Sequence, residues 1–228
     1  MSADVELSGE ALVADLERRF VTAADAIPIG DAKYTILRPR NADDLIDEED
    51  FVRDERLPYW ADVWPSSQVL AARMRSEPGE GRTLLELGCG VGVVAVASTL
   101  AGWNVTVTDY YDDAIRFARA NVWRHTERDI PGRHVDWREL PADLGVFDRV
   151  VASDVLYEKA YADLVAMAIV RTLARGGVAY VADPGRLAAP GFVERALSLG
   201  LSVDDSATYP WANGPVRQTI RLYALRKR

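Results

Sequence analysis

From residue 82 onward, short apolar segments alternate with longer segments in which apolar residues recur at helical spacing. The short segments predict buried strands and the longer ones predict helices that cover them. Near-continuous apolar strands separated by helices indicate an α/β fold with a mostly parallel sheet. The predicted strands are 83–87, 104–108, 134–135, 147–153, 178–182, 201–206 and 217–225, and the predicted helices are 91–101, 112–125, 158–174 and 191–199.

Both ends of the chain depart from this alternation. The last two predicted strands are joined by a turn at 212–215 with no helix between them, so we expect the final strand to run antiparallel to its neighbour. Before residue 57 the pattern predicts a helix over 8–21 and a short strand over 33–37. Pro65 then begins a helix that continues to residue 75. We therefore expect an N-terminal extension, 1–56, before a main domain, 57–228.

The composition narrows the class of protein. The 228 residues are 49% apolar, enough for one core. Cys89 is the only cysteine and His125 and His134 are the only histidines, which argues against a disulfide framework and a metal site. No apolar run approaches the ~20 residues of a membrane span, and the acidic N-terminus is unlike a secretory signal. We therefore expect a cytoplasmic protein without metal or membrane contact.

The net charge of −8 argues against a nucleic-acid partner, because proteins that bind phosphates usually carry a basic surface. The charge is unevenly placed. Residues 41–56 hold eight acids against two arginines, whereas residues 215–228 hold five bases and no acid. The acidic run is either a solvated surface or an acidic lip that attracts a cationic substrate.

Residues 84–92 carry the strongest chemical signal, Leu-Leu-Glu-Leu-Gly-Cys-Gly-Val-Gly. A buried strand enters a Gly-x-Gly-x-Gly turn and then a helix, so a ligand can lie against bare backbone at the end of the strand. Asp109, at the end of the next strand, can accept both hydroxyls of a ribose. A dinucleotide site would place its third glycine one residue later, and Glu86 would repel a pyrophosphate. The arrangement favours the cationic end of S-adenosylmethionine.

This segment resembles motif I of the class I S-adenosylmethionine-dependent methyltransferases, which have a Rossmann-like seven-stranded fold. Residues 60–70, with Trp-Pro at their centre, resemble the upstream segment of the family-16 protein-lysine methyltransferases. Residues 147–157 resemble that group's Asp-x-x-Tyr segment after strand four. Residues 181–186, Val-Ala-Asp-Pro-Gly-Arg, resemble the segment after strand five in the electron-transfer-flavoprotein β-subunit lysine methyltransferases. The resemblance covers about residues 57–186.

The resemblance implies a role for each matching position. The methionine end of the cofactor would be held by the glycine turn and the acid before it, which are Glu86, Gly88, Cys89, Gly90 and Gly92. The ribose would be bound by Asp109, and the adenine by Tyr110, Asp136 and Trp137, which follow the next two strands. Trp64 would lie near the cofactor, with Ala152 and Ser153 beside the sulfonium. Cys89 would serve as a small side chain of the turn rather than as a catalytic thiol.

Asp154 and Tyr157 are the candidate catalytic residues on the substrate side. An acid can align an ammonium group, and an aromatic face can stabilise a cation. If a helix begins directly after the strand, their spacing of three would place them on one helix face. The same two residues could instead be a helix-capping acid and a packing tyrosine.

Several functions remain compatible with these residues. Transfer of a methyl group to a protein lysine is the leading hypothesis. The alternatives are an N-methyltransferase of a nicotinamide-like or other small amine, and a non-catalytic module that binds a nucleoside or a partner. A protein substrate needs an open groove and a metabolite needs a closed pocket. The sequence does not decide between them.

Overall fold

A computed structural model describes residues 7–45 and 57–227, and its main body is a seven-stranded sheet between two layers of helices. The strands are β1 Thr22–Ile29, β2 Ala32–Pro39, β3 Thr83–Leu87, β4 Asn104–Asp109, β5 Gly132–His134, β6 Phe147–Ser153, β7 Leu173–Asp183, β8 Leu201–Asn213 and β9 Val216–Lys227. The helices are α1 Gly9–Arg19, α2 Pro65–Arg75, α3 Val93–Leu100, α4 Asp112–Thr126, α5 Lys159–Thr172 and α6 Ala189–Ser198.

The large sheet has the strand order β5-β4-β3-β6-β7-β9-β8. Strands β3 to β7 are parallel, and β9 runs antiparallel to both β7 and β8. This confirms the predicted α/β fold with its antiparallel last strand. The chain moves outward from β3 to β5 and then returns to β6 on the other side of β3. Open α/β sheets bind ligands beyond the carboxyl ends of the strands at such a switch point.

Successive residues of the central strand enter opposite faces of the sheet, as the strand pleat requires. Leu84 packs into a core with α1 to α4, and Leu85 packs into a second core with α5 and α6. All of β3 except its first residue is buried. Burial on both faces explains why β3 is mostly apolar rather than alternating.

Some predicted boundaries were wrong. The helix predicted from residue 91 begins at Val93, because residues 91 and 92 still belong to the glycine turn. Helix α5 ends at Thr172, two residues early, and β7 begins at once. Strands β8 and β9 are longer than predicted because they pair with each other beyond the sheet, while β9 contacts β7 only from Arg221 to Arg226.

The N-terminal segment contributes to the main core. Strand β1, which the sequence analysis missed, pairs with β2 as a hairpin; its small residues and its proline give a weak strand signal. Leu12 of α1 and Ile36 of β2 are buried in the core on the side of α3 and α4. The buried Asn121 of α4 links the hairpin to the glycine turn. Its side chain bonds the backbone N–H and C=O of Leu37, both at 2.7 Å, and the C=O of Val91 at 2.9 Å.

The proposed boundary at residue 56 stays a prediction. Most of the acidic run, residues 46–56, lies outside the described residues. Of the helices in the described ranges, none has the length and apolar character needed to cross a membrane. The same ranges contain no group of three or more His, Cys, Asp or Glu side chains placed to hold a metal ion.

Candidate active site

A cleft of about 1100 Å³, including the part that opens to solvent, lies at the carboxyl ends of β3, β4 and β6. One wall is the glycine turn, residues 88–92, together with Asp109 at the end of β4. The opposite wall is the loop after β6. The segment before α2, with Trp60 and Trp64, closes a third side. The cleft therefore lies at the switch point of the sheet.

The glycine turn is fixed to β4 through backbone groups. The N–H groups of Gly88 and Cys89 donate to the C=O of Thr108 at 2.9 and 3.0 Å. The N–H of Gly90 donates to Oδ2 of Asp109 at 3.0 Å, and Oδ1 accepts the N–H of Tyr111 at 3.1 Å. Asp109 thus holds the turn as well as lining the cleft. Burial raises the pKa of its carboxyl above the ordinary 3.8.

The glycines of the turn are required for different reasons. Gly88 has a φ of +68°, and a Cβ there would lie 3.0 Å from Val155 and 3.4 Å from the ring of Trp137. A side chain at Gly88 would therefore fill the floor of the cleft. Gly92 has a φ of +84°, and its Cβ would lie 2.6 Å from the Cα of Ala118 in α4. Gly92 is needed for the close approach of two helices rather than for a ligand.

Glu86 lies beneath the turn rather than in the cleft. Its side chain is buried and bonds the backbone N–H of Ala95 near the start of α3. Its Oε2 has no partner among the described residues. Burial, and then the nearby charge of Asp109, raise the pKa of the Glu86 carboxyl well above 4.5. The structure therefore gives Glu86 no direct access to a ligand in the cleft.

The predicted adenine side contains several aromatic groups. The ring of Trp137 packs edge-on against Tyr161 with 5.5 Å between ring centroids. Its Nε1 is buried without a partner among the described residues. Both carboxylate oxygens of Asp136 accept hydrogen bonds from the Arg138 guanidinium, the shortest at 2.6 Å. The Tyr110 ring lies 5.5 Å from that of His134.

Tyr157 stands at the mouth of the cleft, where 41% of it is exposed. Its ring packs edge-on against Tyr161 and Tyr59, with centroid distances of 4.9 and 5.6 Å. Desolvation and the adjacent Tyr161 raise the pKa of the Tyr157 hydroxyl well above its ordinary value, so it stays protonated. Helix α5 begins only at Lys159, so Asp154 and Tyr157 share a loop, and the predicted shared helix face is absent.

Asp154 is held by Arg186, whose segment, residues 183–186, the sequence leaves open as a simple turn or as a lining of the substrate mouth. Nε and Nη2 of Arg186 lie 2.8 and 2.6 Å from Oδ1 of Asp154. The same guanidinium lies over the Trp64 ring, 5.3 Å from its centroid. Asp154 itself is buried, with a φ of +59°. We call Trp64, Asp154, Tyr157 and Arg186 the mouth cluster.

The structure brings most of the predicted site residues to one cleft. Those that line it are Trp64, Gly88, Cys89, Gly90, Asp109, Tyr110, Asp136, Trp137, Ser153, Asp154 and Tyr157. The exceptions are Glu86, Gly92 and Ala152, which lie behind the lining. Sequence reasoning missed the aromatic lining residues Tyr59, Trp60, Tyr111 and Tyr161. The density of aromatic residues at 59–64 was the available signal for two of them.

Curated relatives match the central part of the chain. An electron transfer flavoprotein β subunit lysine methyltransferase of Danio rerio is 31% identical over 133 residues, 57% of this chain and 51% of the relative. The protein N-lysine methyltransferase METTL21A of Xenopus tropicalis is 30% identical over 117 residues, 48% of this chain and 54% of the relative. The chain thus spans about half the length of these relatives.

A third relative has a different acceptor in its name. The cypemycin N-terminal methyltransferase of a Streptomyces species is 29% identical over 150 residues, which is 63% of this chain and 60% of the relative. The acceptor in that name is a terminal amine rather than a side chain.

Solved structures share the fold at low identity. A ribosomal protein L11 methylase from Lactobacillus delbrueckii subsp. bulgaricus has a TM-score of 0.53 at 22% identity, over 72% of this chain and 77% of that one. The glycopeptide N-methyltransferase MtfA, solved with S-adenosylmethionine, has a TM-score of 0.54 at 17% identity, over 72% and 94%. These likenesses confirm the Rossmann-like fold.

A family model described as lysine methyltransferase matches residues 54–186, more than half of the chain. The match contains the segment before α2, the glycine turn, Asp109, the loop after β6 and the Asp-Pro-Gly-Arg turn. It therefore covers both walls of the cleft. The chain belongs to the lysine methyltransferase family.

Proposed function

We propose that this protein is an S-adenosylmethionine-dependent methyltransferase whose acceptor is the amino group of a protein lysine. One observation carries the proposal: a single cleft is lined both by the glycine turn and Asp109 and by Trp64, Asp154 and Tyr157 of the mouth cluster. The residues proposed for the nucleoside and those proposed for the acceptor amine thus face one space. Family membership and the lysine methyltransferases among the relatives support the same reaction.

The chemistry of the cleft lining fits the cofactor. Gly88 leaves a floor that a Cβ would fill, and the Nε1 of Trp137, whose ring lies beside it, has no partner among the described residues. The carboxylate of Asp109 suits ribose hydroxyls, and the rings of Tyr110 and Trp137 suit a base. When bound, S-adenosylmethionine would supply an electrophilic methyl group on a sulfonium. Glu86 would act from beneath the turn, by holding the start of α3.

The mouth cluster would orient the amine and limit its contact with water. A lysine with a pKa of about 10.4 is mostly protonated at pH 7, and its neutral form costs about 4–5 kcal/mol. Tyr157 cannot remove this proton near neutral pH, because its own hydroxyl pKa is raised. We therefore assign Tyr157 an orienting role, through its ring face and its hydroxyl.

The mouth is open enough for a side chain of a macromolecule. Tyr59 and Tyr157 are 43% and 41% exposed at its rim. The proposal includes a substrate that is a protein of the cytoplasm. The N-terminal methyltransferase among the relatives favours a second candidate acceptor, the terminal amine of a peptide. Its chemistry is the same, because both acceptors are amines that must be neutral to attack.

The proposal is tested by following a tritiated methyl group from S-adenosylmethionine into a cell lysate. Labelled protein is hydrolysed and its amino acids are separated, with Asp109→Ala as the inactive variant and the exposed Asp143→Ala as control. Label on methylated lysine, absent with Asp109→Ala and retained with Asp143→Ala, is the expected result. Label only on terminal residues selects the second candidate, and label only on small molecules selects a metabolite enzyme. No transfer at all contradicts the proposal.

A further inference from the structure

Arg186 connects three segments at the mouth of the cleft. It follows β7, its guanidinium bonds Asp154 in the loop after β6, and its Cζ lies over the ring of Trp64 before α2. The turn that carries it is fixed as well, because Oδ1 of Asp183 accepts the backbone N–H groups of Gly185 and Arg186, each at 2.7 Å. The position of the guanidinium is thus set from both ends.

The burial and the backbone conformation of Asp154 are both unfavourable, so neighbouring groups must stabilise this residue. Its side chain is 3% exposed, its φ is +59°, and its Oδ2 has no partner among the described residues. A buried acid on left-handed backbone persists only where neighbouring groups fix it. We propose that Arg186 is a positioning residue that orients Asp154 and compensates its charge, so that the acceptor amine is received in its neutral form. This inference rests on the proposed function.

The charges around Asp154 explain why compensation matters. They come from the segment before α2, the end of β4, the loop after β6 and the turn after β7. The acids Asp62, Asp109 and Glu158 line the cleft together with Asp154 and the neutral hydroxyl of Tyr157, and Asp183 and Arg186 interact with Asp154 from the turn after β7. Arg138 also lines the cleft but is bonded to Asp136. Among the residues that the structure describes, Arg186 is therefore the cation paired with Asp154, in a mouth lined mostly by acids.

An uncompensated carboxylate would hinder methyl transfer, because it would bind the substrate amine tightly in its protonated form. A carboxylate within about 4–6 Å of an amine raises the pKa of that amine by about 1–3 units and so favours its protonated form. A protonated amine has no free electron pair with which to attack a methyl group. By donating two hydrogen bonds to Oδ1 of Asp154 and offsetting its negative charge, Arg186 would weaken an ion pair between this acid and the substrate ammonium.

The first test measures cation binding without catalysis. Nα-acetyl-lysine methyl amide is titrated into the protein with bound S-adenosylhomocysteine, for wild type, Arg186→Gln, Arg186→Lys and the double variant Arg186→Gln/Asp154→Asn. Arg195→Gln, which breaks a surface pair with Asp163, is the matched control. We expect Arg186→Gln to bind this probe about 10-fold tighter at pH 7 and the double variant to lose the gain. Arg186→Lys and Arg195→Gln should resemble wild type. Unchanged, weaker or unmeasurable binding by a folded Arg186→Gln protein overturns the proposal.

The second test measures methyl transfer as a function of pH, and its substrate is the protein that becomes labelled in the lysate. We expect Arg186→Gln to lower kcat about 10-fold at pH 7.5 without raising KM, and to recover towards pH 9.5 as the amine loses its proton. A merely structural role would lower kcat equally at every pH or raise KM, and either result contradicts the proposal. Failure of the proposed function is seen separately, as a wild-type protein that transfers no methyl group.

Discussion

The two walls of the cleft are built in different ways. The glycine turn is fixed by backbone hydrogen bonds to β4 and by the close approach of α3 and α4 at Gly92. The mouth cluster is fixed by side chains, through the Arg186 bridge between Asp154 and Trp64. Backbone geometry leaves a short and recognisable sequence pattern. A side-chain bridge between residues 32 positions apart leaves none.

Their treatment of buried acids differs as well. Glu86 beneath the glycine turn is buried beside Asp109, and its Oε2 has no partner among the described residues. Asp154 in the mouth cluster is equally buried but carries an arginine. Burial in one wall therefore raises the pKa of the acid, whereas in the other wall an arginine offsets the charge of the acid.

The largest effect is expected from a side chain at Gly92, compared with one at Gly102. The two residues have φ values of +84° and +85°, so the backbone strain is matched. A Cβ at Gly92 would lie 2.6 Å from Ala118, whereas the nearest neighbour at Gly102 is 3.7 Å away. Gly92→Ala should lower the free energy of unfolding by at least about 3 kcal/mol, and Gly102→Ala by about 1 kcal/mol. Denaturant unfolding of both variants measures this, and equal losses would refute the packing role of Gly92.

A smaller effect is expected at the mouth. Tyr157→Ala should lower kcat/KM for methyl transfer about 10-fold, because the amine loses an aromatic wall, whereas stability changes little at this exposed position. Tyr157→Phe should retain most activity if the ring face matters more than the hydroxyl. Tyr209→Ala is the control, since that tyrosine is 40% exposed on the β8–β9 hairpin. Steady-state kinetics would contradict the assignment if Tyr157→Ala behaved like the control.

The smallest effects are expected from substitutions of the two buried acids, Glu86 and Asp154. The pKa of Glu86 is raised in the folded state, so the folded protein binds more protons, and its stability falls as pH rises from about 4.5 towards the raised value. Glu86→Gln removes this loss and should stabilise the protein by about 1 kcal/mol at neutral pH, with less gain in acid. Asp154→Asn should instead destabilise it by about 1 kcal/mol, because Arg186 loses its partner.

Unfolding measured from pH 5 to pH 8 separates these two behaviours. A Glu86→Gln gain that does not grow with pH would contradict the raised pKa of Glu86. Stabilisation by Asp154→Asn would mean that its pairing with Arg186 does not offset the burial of the acid.

The sequence predicted the parts of the molecule that local patterns specify. The strand-turn-helix of residues 84–92, the acid at 109 and the antiparallel last strand all follow from short-range signals, and the first two led to the cleft. The burial of Glu86 was not predictable, because the N–H of Ala95 and the charge of Asp109 reach it only in the folded chain. Strand β1 was missed because its side chains are small, and it is a strand only through pairing with β2.

The central claim is that Asp109 and the glycine turn bind the cofactor nucleoside, and calorimetric titration with S-adenosylhomocysteine tests it most directly. The account predicts one site in the wild type and an affinity at least about 100-fold lower in Asp109→Ala, since two hydrogen bonds to a charged group are lost. Because the pKa of Asp109 is raised, wild-type affinity should begin to fall on acidification at a pH above that of an ordinary aspartate, and the variant should lack this step. Equal affinities of the two proteins would contradict the account.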